Sequence, residues 1–107
     1  HLREVAVRCC QRANPDIQTF CGRVASGDQF INSREKKNWI RDTFDAYCTE
    51  MEGAAIAQAA YLNQIPYLIV RAISDKADDS ANVDYSEFEA KAVEHSVRLM
   101  AAMLEEL

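Results

Sequence analysis

Segments of helical period alternate with short β-branched segments along all 107 residues, and this alternation limits the fold more than any other feature. Leu2, Val5 and Cys9 share one helical face, and Asn14-Pro15-Asp16 ends that helix. "IQTFCGRVAS" (17–26) reads as a strand running into the Gly27-Asp28 loop. Ser33 suits an N-cap for a charged helix through "REKKNWIRDTF", with Trp39, Ile40 and Phe44 expected to face inward. "AYCTEM" reads as a short strand, and "GAAIAQAAYLNQ" as an alanine-rich helix that allows close packing on a sheet. Pro66 leads into "YLIVRAIS", whose continuous apolar run predicts a third strand covered on both faces. Ser86 and Glu89 match a capping box, and Phe88, Val93, Val97, Met100 and Leu104 mark the apolar stripe of a long last helix. The order α-β-α-β-α-β-α predicts a layered α/β fold with a largely parallel sheet. In such sheets ligands bind at the carboxyl ends of the strands.

Several function classes are excluded by composition. A net charge of −5 offers no basic stripe for nucleic acid. No apolar run approaches the roughly 20 residues of a membrane helix, so no membrane partner is expected. Cys9, Cys10, Cys21 and Cys48 show no CxxC or Cys/His ligand spacing and are expected as free thiols in a reducing cytoplasm. "DDSANVDYSEFE", entered at Asp78, places oxygen ligands at EF-hand spacing. Val83 stands where that loop needs glycine, however, and a strand is expected before it, so no metal is assigned. The chain opens at His1, inside what reads as a helix already in progress, which suggests a piece of a longer protein.

Chemistry concentrates at the three expected strand ends: "SGDQFI" (26–31), "TEMEG" (49–53) and "RAISD" (71–75). As single residues these have ordinary readings. Asp75 fits a turn cap and Glu52 a first-turn acid favoured by the helix dipole. Phe30, Ile31 and Tyr85 fit simple packing, and His95 fits a surface or boundary position. Arg71 is harder to place, because a charge inside an apolar segment requires a partner.

In order and spacing, "SGDQFI", "EMEGAAIAQAA" and "VRAISDKAD" resemble the nucleoside phosphorylase/nucleosidase family, and within it the 5′-methylthioadenosine/S-adenosylhomocysteine nucleosidases. The resemblance runs from about Val24 to the C-terminus. It implies an α/β/α layered fold with a mixed, mostly parallel sheet flanked by helices, of which residues 1–107 are the C-terminal portion of one domain. It also implies a cytoplasmic homodimer, without cofactor, that serves methionine salvage by releasing adenine from small thio-nucleosides. Carried over to this sequence, it makes Phe30 the stacking partner of adenine and Ile31 a backbone partner of the base. Met51 and Glu52 fall at the ribose, with Glu52 binding its hydroxyls. Arg71 lies near the ribose and the attacking water. Asp75, with Ser74 beside it, is the acid that protonates the leaving adenine, and Tyr85 lines the 5′-thio pocket. The carboxylate that activates water is expected from the N-terminal half of the family's fold.

Two alternatives stay open. One is a purine nucleoside phosphorylase of the same fold, although no arginine occurs from Lys76 to Lys91, where the hexameric phosphorylases carry one. The other is a non-catalytic α/β fragment that needs a partner chain.

Overall fold

The structure, a computed structural model, describes residues 1–74, 77 and 85–107, with residues 85–87 described by their backbone alone. The described elements, in order, are α1 (Leu2–Ala13), β1 (Arg23–Ser26), α2 (Arg34–Phe44), β2 (Ala46–Glu50), α3 (Gly53–Leu62) and α4 (Tyr85–Glu106). The chain divides into two compact units, His1–Cys21 with Ser86–Leu107, and Gly22–Tyr85.

The first unit pairs two helices. Val5, Ala6 and Cys9 of α1 are buried, as are Leu99 and Met103 of α4. The expected stripe on α4 is therefore rotated, because Val93, Val97, Met100 and Leu104 are all exposed. Its covered side instead carries Leu99, Met103 and the half-buried Ala92, His95 and Ala102. Helix α4 starts one residue before Ser86, which makes Ser86 its second residue rather than its cap. Polar ties fix the pair. Arg8 Nη2 donates to Glu106 Oε1 at 2.8 Å, and the buried Cys9 thiol donates to Glu106 Oε2. Asn14, just past the end of α1, donates from Nδ2 to the carbonyl of His95 at 2.9 Å, and His95 Nε2 meets Asp16 Oδ2 at 2.9 Å. The hydrogen bond to Glu106, together with burial, pushes the Cys9 thiol up, so it stays protonated and unreactive at neutral pH. All four cysteines are free thiols.

The second unit is the α/β layer. Strands β1 and β2 pair in parallel, with Val24, Ala25 and Ser26 opposite Cys48, Thr49 and Glu50. Tyr47 is skipped in the register, and its ring lies where a side chain on Gly22 would have to go. Helices α2 and α3 pack on this sheet. Ser33 caps α2 as expected, its hydroxyl accepting from the Lys36 amide, and Asp45 closes the helix in the left-handed conformation at φ 53°. A short polar residue tolerates that conformation at modest cost.

Two expectations for this unit do not hold. Residues 67–74 form no strand, and Tyr67, Val70 and Ile73 are exposed. An apolar run states a need for cover but supplies no partner, and the described residues offer no third ladder. Trp39 and Phe44 do not face inward either. They sit edge to face at 5.7 Å and remain exposed, and α2 buries no residue. Two short strands and two helices hold too little surface to cover every apolar face.

Candidate active site

The parallel pairing sets the site. Ser26 and Glu50 are register partners and the last residues of their strands, so both side chains arrive at the carboxyl edge, where α3 begins. A helix start leaves amides without partners and carries partial positive charge. Here side chains from outside the helix satisfy them. The Glu50 carboxylate accepts from the Gly53 amide at 2.7 and 2.9 Å and from the Glu52 amide at 3.1 Å. Ser26 Oγ accepts from the Ala54 amide at 3.0 Å. Glycine at position 53 admits this close approach, because a β-carbon there would lie 2.5 Å from Glu50 Oε1 and would displace the carboxylate.

Arg71 enters from the apolar segment after Pro66. Its Nη2 donates to Glu50 Oε2 and, at 2.9 Å, to Glu52 Oε1. The partner that a charge in that segment demanded is therefore a pair of carboxylates. Their exposures differ sharply, with the Glu50 side chain 7% exposed and that of Glu52 63%. Burial pushes the Glu50 carboxyl up. Hydrogen bonds from Ser26, from the amides of Glu52 and Gly53 and from Arg71 outweigh that and hold it below the ordinary glutamate range. Burial pulls the Arg71 guanidinium down, and the two carboxylates more than reverse this. Cys48, beside Glu50 on β2, is pushed up by burial and then by that carboxylate, so it remains a thiol.

A depressed carboxyl pKa has a signed consequence for stability. Glu50 contributes fully above the ordinary glutamate pKa of about 4.3, and its contribution disappears as pH falls through its lower folded value. In the complete protein, the stability difference between wild type and Glu50→Gln should shrink as pH is lowered from about 5 to about 3. Urea unfolding at each pH measures it, and a constant difference would contradict the ion-pair geometry.

Phe30, Ile31, Met51, Glu52, Arg71 and Ser74 all line one open cleft of about 640 Å³. Phe30 and Met51 present apolar surface at 52% and 45% exposure, whereas Ile31 is buried. The cleft thus offers a flat aromatic face, an exposed carboxylate and a cation held beside it. That set suits a neutral planar base joined to a polyhydroxyl group. Asp75 lies outside the described residues, as does most of the EF-hand-like segment, and of Tyr85 only its place at the start of α4 is described. No group of three metal-ligating side chains occurs among the described residues. Glu50 was missed as a site residue by sequence reasoning. Its only signal was its place between a strand and a second acid two residues on, which many surface glutamates share.

The phosphorylase superfamily model matches residues 1–106. The chain belongs to this superfamily. It is 39% identical over 99 residues to a 5′-methylthioadenosine/S-adenosylhomocysteine nucleosidase of Bacillus cereus, covering 92% of this chain and 43% of that protein. Its fold is similar to the futalosine hydrolase of Helicobacter pylori, with a TM-score of 0.88 and 34% identity over 99% of this chain and 45% of the other. A 5′-methylthioadenosine/S-adenosylhomocysteine nucleosidase of Colwellia psychrerythraea, solved in complex with adenine, also gives 0.88, at 30% identity over 99% and 44%. The chain therefore spans less than half the length of these relatives. Superfamily membership agrees with the layered α/β fold inferred from the alternating segments. No helix among the described residues is long and apolar enough to cross a membrane.

Proposed function

We propose that the complete protein hydrolyses the N-glycosidic bond of 5′-methylthioadenosine and S-adenosylhomocysteine, and that residues 1–107 supply the leaving-group side of its site. The observation that carries this reading is the convergence of Phe30, Glu52, Arg71 and Ser74 on one cleft that runs along β2 to its carboxyl end. It is supported by relatives named for that activity.

Each residue has a chemical task in this reading. Phe30 stacks on adenine, and the Ile31 backbone bonds its edge. Adenine leaves poorly as an anion, so Asp75, flanked by Ser74, gives a proton to the ring as the bond to C1′ breaks, which is general acid catalysis. Positive charge then grows on the sugar, and the anionic Glu52 at the ribose hydroxyls stabilises it most at that stage. Met51 packs against the ribose, Arg71 lies near the ribose and steadies the incoming water, and Tyr85 borders the 5′-thio group. Water adds to C1′ and its proton passes to a base outside this chain. Residues 1–107 are then the C-terminal portion of a single domain in a cytoplasmic homodimer that works in methionine salvage.

Hydrolysis and phosphorolysis differ in product. The complete enzyme should release adenine and free methylthioribose from methylthioadenosine in phosphate-free buffer. Product that appears only as a sugar phosphate, and only with added phosphate, would move the assignment to the phosphorylases.

A further inference from the structure

We propose that Glu50 is the positioning residue of this site. Its carboxylate fixes the backbone that carries Glu52 and keeps Arg71 anchored while Glu52 exchanges its bond to Arg71 for the ribose hydroxyls. The inference rests on the reading of Glu52 as the ribose-binding acid.

The two acids that share Arg71 are not equivalent. Glu50 lines the cleft, but its side chain is only 7% exposed and is engaged by its own neighbours. Glu50 Oε2 accepts from the amides of Glu52 and Gly53 and from the Arg71 guanidinium, and Oε1 accepts from the Gly53 amide. A nearly buried group engaged in this way serves to hold its neighbours. Glu52 is the opposite, largely exposed and tied by its side chain to Arg71 at 2.9 Å. Substrate hydroxyls that take both Glu52 oxygens displace that bond. Without Glu50 the guanidinium would then be unanchored, and the backbone at Glu52 would lose the acceptor of its amide. With Glu50 in place both remain set, so substrate binding reorders a single hydrogen bond.

The test compares two substrates on one enzyme. In the complete protein, kcat/KM is measured for methylthioadenosine and for its 2′-deoxy analogue, in wild type, Glu50→Gln and Glu52→Gln. The ratio of the two values reports hydroxyl recognition and is independent of the fraction of enzyme that is folded. Glutamine at position 50 keeps one acceptor for the α3 amides and loses the charge that holds Arg71. The ratio should therefore narrow about tenfold in Glu50→Gln, the scale of one charge-assisted hydrogen bond. A role in capping α3 alone would lower both values together and leave the ratio unchanged, which would overturn the inference. If Glu50→Gln does not fold, Glu50→Asp withdraws the carboxylate by one methylene and should narrow the ratio in the same direction. A ratio that narrows in Glu52→Gln but in neither Glu50 variant refutes the positioning role alone. A ratio intact in Glu52→Gln refutes the ribose-binding reading beneath it.

Discussion

Replacing Asp75 with asparagine in the complete enzyme should lower turnover about 10²-fold or more and leave substrate binding largely intact. Asparagine preserves the shape and hydrogen-bonding reach of the side chain but has no proton of suitable acidity for the departing adenine. The loss should therefore fall on kcat rather than KM. It should also depend on the leaving group, because a purine that departs readily without protonation has less need of the acid. Steady-state kinetics with methylthioadenosine measure the first effect, and a substrate with a better leaving group measures the second. Wild-type turnover in Asp75→Asn would remove this residue from the chemistry, and the assignment of Ser74 beside it would fall too.

The second large effect should come from Arg71→Met. Methionine keeps much of the apolar stem and removes the cation shared by Glu50 and Glu52. Glu50 is then a nearly buried carboxylate held by neutral donors only, at a cost of about 2 kcal/mol for the lost charge-assisted bond. Its carboxyl pKa should rise, since one of the contributions that holds it down is gone. The free enzyme loses the bond that holds Glu52 ready, the incoming water loses the cation beside it, and kcat/KM should fall about 10²-fold, the scale for removing one preorganised electrostatic partner. Urea unfolding and steady-state kinetics test the two parts separately. Normal stability with normal kcat/KM would mean that the bridge to the two acids contributes little.

Local signals in the sequence were sufficient where the deciding interactions lie within a few residues. Ser33 caps α2 through an amide three residues on, and the Asn14-Pro15 stop ends α1 at Ala13. The alanine-rich helix that begins at Gly53 was legible for the same reason. The order of the three motifs marked Phe30, Glu52, Arg71 and Ser74 as neighbours, and all four line one cleft, although the segment that carries Arg71 and Ser74 forms no strand.

Long-range partners decided the rest. The periodic pattern of α2 marks Trp39 and Phe44 as apolar without saying whether anything covers them, and both are exposed. "YLIVRAIS" has the composition of a covered strand, yet strand formation depends on a neighbouring ladder, and residues 67–74 have none among the described residues. The face that α4 buries was fixed by where α1 presents Cys9 and Asn14, which its own periodicity could not specify. Glu50 is the clearest case. Its sequence neighbours include only two of its donors, the amides of Glu52 and Gly53. Ser26 comes from 24 positions earlier through the parallel register, and Arg71 from 21 positions later. Sequence placed an acid at the end of a strand. Only the tertiary structure, by bringing the end of β1, a helix start and a guanidinium to it together, made that acid a nearly buried anion held by amides and a cation.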